Sequence, residues 1–223
     1  MTYTLVIGTQ NWSSWSLRPY VALRATGAPF ETVGIKLREK QHPTTRERIL
    51  PYSPAGKVPI LKIMEGAKTV TVWDSLAICE TLAERHPEAG LWPADAAIRA
   101  VARSHACEMH SGFPDLRDQL GMEFARRLPL PDLRDETKEQ MARIIAAWQS
   151  ALETYKGAYL FGDTVTVADC MFAPVVSRFV TYGVEVPPLV QGYALRMMAL
   201  PAMQDWGAAA QRELDAGLGR YLD

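Results

Sequence analysis

The chain has 223 residues, of which 48% are hydrophobic and 22% charged, and its formal net charge is −1. This composition is typical of a folded globular protein and excludes a disordered chain, a collagen-like repeat and a disulfide-stapled miniprotein. The near-zero charge creates no overall field to attract nucleic acid. No apolar run reaches the roughly 18–20 residues of a membrane span, and the first residues lack the basic start of a signal peptide. We therefore expect neither nucleic acid nor a membrane as a partner.

The first third of the chain combines strand and helix patterns. Short segments rich in β-branched and aromatic residues, typical of strands, lie at 3–8, 31–37, 58–63 and 69–73. Helical spacing of apolar residues lies at 17–26, 43–50 and 75–86. The order βαβαββα predicts an α/β domain over residues 1–86.

The rest of the chain is predicted to be helical. Helical patterns occupy residues 96–112, 136–156, 167–182, 189–199 and 201–215. The proline- and glycine-containing stretch 87–95 predicts a linker to an all-helical domain over 96–223. Residues 1–86 carry 11 Lys and Arg against 7 Asp and Glu, whereas the remainder carries 13 against 18. The positive first third is compatible with a small anionic ligand, although drift of surface charge explains it as well.

The cysteines and histidines predict neither a disulfide framework nor a metal site. The chain has three widely spaced cysteines, an odd number, which favours a reducing cytoplasm. We expect Cys107 and Cys170 to be packed. On a helix His105 and Glu108 share a face that His110 does not, and no third ligand is evident.

Four motifs in order along the chain carry a family resemblance. They are NWSSWSLRPYVAL (11–23), SPAGKVPIL (53–61), WDSLAICETLAE (73–84) and TVADCMFAP (166–174). Over essentially its whole length the chain resembles the cytosolic glutathione transferases, most closely serine-type bacterial members related to the zeta class. The resemblance implies a thioredoxin-like α/β domain followed by an all-α domain, with glutathione as cosubstrate.

The first motif places two serines at a helix start. Pro19 fits best in the first turn of a helix, so the spacing predicts a start around residues 16–19, with Ser13 and Ser14 at or just before it. Backbone amides and the helix dipole favour an anion there, and a serine hydroxyl can hydrogen-bond a thiolate. Plain helix capping is the alternative. The resemblance implies that Ser13 or Ser14 activates the glutathione thiol.

The same corner lacks the cysteine of thioredoxin-like oxidoreductases, so disulfide exchange through a protein thiol is not expected. The zeta class usually has a cysteine after its two serines, where this chain has Trp15. That departure puts the isomerase activity of the class in doubt.

The second and third motifs are expected to bind glutathione. In the resembling family the bond equivalent to Val58–Pro59 is cis and the Val58 backbone pairs with the cysteinyl part of the ligand. Lys57 is either a partner of a glutathione carboxylate or a solvated lysine. Ser75 suits the N-cap of the next helix, preceded by Asp74. The resemblance implies that Asp74 takes the γ-glutamyl ammonium, while Ser75 and the helix amides take the α-carboxylate.

The helical part of the chain contains a predicted capping box and candidate residues for the wall of a substrate pocket. Thr166 and Asp169 form a predicted capping box, which we interpret as a folding signal. The resemblance makes Met109, His110 and Phe113 candidates for the wall of the second-substrate pocket.

These features predict a glutathione transferase that activates the thiol for attack on an electrophile. A glutathione-dependent cis–trans isomerase of the maleylacetoacetate type is one alternative. A non-catalytic binding module on the same scaffold is another. The family resemblance also implies a homodimer.

Overall fold

A mixed four-stranded sheet organises the first part of the chain. The computed structural model describes residues 1–38 and 43–218. The strands are β1 (Thr2–Gly8), β2 (Phe30–Ile35), β3 (Ile60–Glu65) and β4 (Lys68–Val72). Their order is β2-β1-β3-β4, with β1 parallel to β2 and antiparallel to β3, and β4 antiparallel to β3. Together with helices α1 (Ser14–Ala25), α2 (Thr45–Ile49) and α3 (Ser75–Arg85), the sheet confirms the thioredoxin-like prediction.

The second part is helical, as predicted. It contains α4 (Ala96–Ser111), α5 (Pro114–Gln119), α6 (Asp135–Tyr155), α7 (Val167–Thr181), α8 (Pro188–Ala199) and α9 (Pro201–Asp215). The sequence analysis did not predict α5, which begins at Pro114, two residues after Gly112, where the sequence reads as a turn. The division at 87–95 stays a prediction, and the end of the second predicted domain, 219–223, lies outside the described residues. Within 1–38 and 43–218, no helix is both long and apolar enough to cross a membrane.

Helix α1 starts earlier than its proline suggests. The predicted start at 16–19 is wrong, since the helix begins at Ser14 and holds Pro19 in its interior. An interior proline deprives the carbonyl of Trp15, four residues earlier, of its usual intrahelical donor. Burial of Leu17 and Val21 offsets that loss. Ser13 becomes the N-cap residue and Ser14 the first helical residue, so both serines still lie at the helix mouth.

The predicted capping box at the start of α7 forms inside the core. Asp169, fully buried, accepts from the backbone and the hydroxyl of Thr166 at 2.8 and 2.7 Å. It also accepts from the Leu160 amide and the Tyr193 hydroxyl, each at 3.1 Å. Burial nevertheless raises the pKa of Asp169. With every one of these contacts internal, the box is a structural feature, as predicted.

The three cysteines have different environments. Cys79 and Cys170 are buried, whereas Cys107 is exposed, so the expectation that it is packed is wrong. It lies on the outer face of α4, a helix whose buried stripe is formed by Ala102, Ala106 and Met109. Burial raises the pKa of Cys79 to about 12 and also raises that of Cys170.

We predict that iodoacetamide at neutral pH modifies Cys107 in the native protein and leaves Cys79 and Cys170 unmodified, because only thiolates react and the buried thiols stay protonated. Peptide mass spectrometry measures the three sites separately. Cys107→Ser should abolish native labelling, and unfolding should expose all remaining thiols. Modification of Cys79 in the folded protein would contradict this assignment.

Candidate functional site

One cavity of about 370 Å³ collects most of the residues singled out from the sequence. It lies where the segment before β3, the start of α3 and the end of α4 meet. Its lining comprises Trp15, Ala55, Lys57, Val58, Pro59, Trp73, Asp74, Ser75 and His110. Six of these, from three separate sequence regions, were candidate binding residues.

The segment before β3 forms one wall. The Val58–Pro59 peptide bond is cis, which confirms the expectation drawn from the family. Lys57 is exposed, Val58 half-buried and Pro59 buried. Val58 therefore borders the cavity just outside the strand, with the Lys57 ammonium beside it in solvent.

The start of α3 presents a carboxylate and a hydroxyl. The expectation that Ser75 caps this helix is wrong: Asp74 is the N-cap, and its Oδ1 accepts from the amides of Leu76 and Ala77 at 3.1 and 3.4 Å. Asp and Ser are comparable N-caps, so residue type could not decide between neighbours. Ser75 is the first helical residue. It is fully buried, and its hydroxyl has no hydrogen-bond partner in the described part of the chain.

Only one of the three residues predicted for the second-substrate wall borders this cavity. The Nε2 atom of His110 lies 3.1 Å from Oδ2 of Asp74. Met109 is fully buried in the hydrophobic core, and Phe113, at 7% exposure, belongs to the same core. Met109 lies on the face of α4 that packs inward, and the second-substrate wall stays a prediction.

The two serines are not part of the lining of this cavity; they lie at the mouth of α1, immediately before the lining residue Trp15 in the chain. The Ser13 hydroxyl donates to Ser16 Oγ at 2.7 Å, and Ser16 Oγ also accepts from the Gly8 amide at 3.1 Å. Ser16 thereby anchors Ser13 to the end of β1. The sequence analysis missed Ser16, although its spacing of three from Ser13 is the signal for such a contact.

A buried cationic group lies behind Trp15. The guanidinium carbon of Arg18 lies 4.2 Å from the centre of the Trp15 ring, and that of Arg117 lies 5.0 Å from it. Arg18 is fully buried, and burial together with repulsion from Arg117 and Arg178 holds its pKa well below the usual range. Burial lowers the pKa of Arg117 to about 10, so it remains charged at neutral pH. The positive charge and the amino end of α1 both favour an anion nearby.

A larger cavity, of about 680 Å³, lies elsewhere, between α1, β2 and the junction of α8 and α9. It contains none of the candidate site residues, and its charged wall residue Arg24 is already paired with Asp205 at 2.5 Å. The smaller cavity has the convergent polar groups that a ligand site needs, so it is the candidate site.

The two histidines of α4 contact other protein side chains. No group of three or more His, Cys, Asp and Glu side chains in the residues that the structure describes is arranged to hold a metal ion. His105 packs edge-on against Phe161 at 5.2 Å between ring centres, and burial lowers its pKa. Glu108 pairs with Arg143 at 2.8 Å.

Comparison with known proteins gives the family. Residues 12–85 match the family described as "Glutathione S-transferase, N-terminal domain" and residues 131–218 match "Glutathione S-transferase, C-terminal domain". The chain is 30% identical to maleylacetoacetate isomerase of Rattus norvegicus over 86% of this chain and 87% of the relative. It is 28% identical to a zeta class glutathione S-transferase of Euphorbia esula, over 76% and 73%.

Among solved structures, a glutathione transferase homologue from Burkholderia gl BGR1 with bound glutathione superposes with a TM-score of 0.69 and 25% identity. The match covers 95% of this chain and 99% of that one. The fold, both domain matches and these relatives agree: the chain belongs to the glutathione S-transferase family, as a zeta-like member.

Proposed function

We propose that this protein is a glutathione transferase that binds glutathione in the cavity between β3, α3 and α4. The observation that carries the proposal is the pairing of Asp74 and Ser75 in that cavity. The γ-glutamyl end of glutathione has one ammonium and one carboxylate, so it needs an acceptor and several donors close together. Asp74 supplies the acceptor, and the Ser75 hydroxyl at the start of α3, which has no partner among the described residues, supplies a donor.

The same geometry suits the binding of the remaining parts of glutathione. An extended glutathione with its γ-glutamyl end at α3 runs along Val58, whose backbone pairs with the cysteinyl unit as an added strand would. Lys57 is the cation available for a ligand carboxylate at that wall. This course takes the sulfur toward Trp15 and the mouth of α1, where Ser13 and Ser14 lie.

Thiolate formation is the chemical step that the serines support. A thiol with a pKa near 8.5 must be stabilised as a thiolate by about 2.7 kcal/mol to ionise well at neutral pH. One charge-assisted hydrogen bond from Ser13 and the dipole of α1 supply that order of magnitude. When the Ser13 hydroxyl reorients to donate a hydrogen bond to the sulfur, the Ser16 hydroxyl can donate to Ser13 Oγ in turn, so the contact between the two serines is kept.

The thiolate then attacks an electrophilic carbon, forming a C–S bond as the leaving group departs with its electron pair. A glutathione-dependent isomerase is the second candidate, because relatives of this chain are named maleylacetoacetate isomerase. There the thiolate adds to a double bond, rotation follows, and the thiolate leaves unchanged. Trp15, in place of the cysteine that the zeta class usually has, favours the transferase. Mass spectrometry separates the two, since a transferase consumes glutathione into a thioether and an isomerase does not.

The cytoplasm is the proposed location, because free glutathione and unpaired cysteines suit a reducing compartment. A catalytically inactive binding module would bind glutathione without ionising its thiol, which the titration below detects.

We predict that the ultraviolet thiolate absorbance of bound glutathione titrates at a pH at least about 1 lower than that of free glutathione. Ser13→Ala should reverse most of this difference while binding falls little, because the hydroxyl stabilises the anion more than the thiol. Ser14→Ala, at the neighbouring serine, is the matched control variant. If Ser14→Ala alone reverses the difference, the role passes to Ser14, and if neither does, the serine mechanism is wrong.

We predict that Asp74→Asn weakens glutathione binding by about 1–3 kcal/mol, because it leaves the ligand ammonium without its charged partner. Asparagine keeps the N-cap, so α3 should stay intact. Asp95→Asn is the control, since Asp95 caps α4 through the same pair of amide contacts, at 2.8 and 2.9 Å. Calorimetry with glutathione and with its N-glutaryl analogue, which lacks the amine, measures the effect. Equal losses for both ligands would remove Asp74 from the site.

We also propose a homodimer, related by a two-fold axis, in which β4 and α3 of one subunit meet α4 and α6 of the other. Exposed apolar side chains on or beside these elements support it: Met64, Trp73 and Val101 are 44%, 45% and 42% exposed. Light scattering at micromolar concentration should give about twice the 24.8 kDa chain mass. Val101→Glu should shift the mass toward one chain, because it buries a charge. A single-chain mass for the wild type at tenfold higher concentration would exclude the dimer.

A further inference from the structure

At the proposed glutathione site, His110 from the helical part of the chain contacts Asp74 from the α/β part. His110, in the last turn of α4, places its Nε2 atom 3.1 Å from Oδ2 of Asp74 at the start of α3. Both side chains border the cavity. The helical part of the protein therefore reaches the same carboxylate that the proposed function assigns to the ligand's amino group.

The two carboxylate oxygens of Asp74 make different contacts. Oδ1 accepts from the amides of Leu76 and Ala77 and so belongs to the helix cap. Oδ2 is the atom that His110 approaches. A carboxylate oxygen accepts more than one hydrogen bond, so Oδ2 keeps room for a ligand N–H beside His110.

His110 is itself held in place before any ligand arrives. Its ring meets the ring of Trp15 edge-on, with 5.4 Å between centres. The backbone of this last turn is fixed by Arg117, whose guanidinium donates to the carbonyls of Gly112 at 3.0 Å and of Met109. The Trp15 ring and the fixed backbone therefore orient the imidazole in addition to Asp74. A side chain that is already ordered loses less conformational entropy when a ligand binds.

We infer that His110 is a positioning residue for the amino group of glutathione: it holds Oδ2 of Asp74 toward the cavity and so determines preference for ligands with a free amine. The inference rests on the proposed function. Without His110 only the two amide contacts of Oδ1, at 3.1 and 3.4 Å, orient the carboxylate, so its plane is held less firmly about the Cβ–Cγ bond before the ligand binds. Both side chains of the pair are partly exposed, 26% and 53%, so the contact contributes little to folding.

The test compares binding of glutathione and of its N-glutaryl analogue by calorimetry in the full chain. His110→Phe keeps a ring against Trp15 but removes the polar contact, and His110→Gln restores a donor. His105→Phe is the matched control, because His105 lies on the same helix and does not border the cavity. The wild type should prefer glutathione by at least about tenfold. His110→Phe should lower that preference at least threefold with analogue binding unchanged, His110→Gln should recover part of it, and His105→Phe should leave it unaltered.

The outcomes separate the inference from the proposed function. An unchanged or increased preference in His110→Phe overturns the inference, and so does an equal loss for both ligands, which would mean that His110 only shapes the cavity. Wild-type protein that binds neither ligand overturns the proposed function itself, and wild-type protein that binds both equally removes Asp74 from its role. Thermal midpoints of the variants confirm that each is folded.

Discussion

The burial of helix α1 on nearly all sides is the constraint on which the site depends. This helix packs against β1 within the α/β part and against α7 and α9 of the helical part. Its residues Leu17, Val21, Ala22 and Leu23 are almost completely inaccessible to solvent. A helix packed from both sides cannot shift without opening two interfaces, because interiors of this density transmit displacement. The serines at its amino end are therefore fixed relative to both parts of the protein.

The burial of α1 also has an unfavourable consequence for folding, because it places the Arg18 guanidinium in the protein interior. Arg18 is carried into the interior by the helix, where its guanidinium stacks on Trp15 and has no hydrogen-bond partner in the described residues. Burying a charge in this way is unfavourable for folding. It also places positive charge next to the helix mouth, so the residue that weakens the core favours the anion that the proposed reaction needs.

Acidic side chains at helix starts divide into two kinds in this fold. Asp169 has all its contacts inside the protein and holds α7, α8 and the preceding loop together. Asp74 uses one oxygen for its helix and leaves the other at the edge of a cavity, met by His110 from another part of the chain. The distinction lies in burial, since Asp169 is fully buried and Asp74 is half exposed. Both are helix-start residues in sequence, and a capping signal alone cannot separate them.

The sequence by itself determined the order of the strands and long helices, the thioredoxin-like class and the two serines at a helix mouth. The order of the elements and the helix mouth follow from local period, turn residues and motif spacing, which act over a few residues. The thioredoxin-like class is what the resemblance of the four motifs to the glutathione transferases implies. Only the tertiary structure decided that Asp74 and not Ser75 is the cap, that Met109 and Phe113 face the core, and that His110 reaches Asp74. It also decided that Pro19 lies inside α1, because burial of the neighbouring side chains outweighs one lost hydrogen bond. The cap is a local choice, but Asp and Ser are comparable N-caps, so residue type alone did not decide it. The positions of Met109, Phe113 and His110 depend on contacts between residues far apart in the chain, and side-chain direction across such contacts is set by packing, which no local pattern encodes.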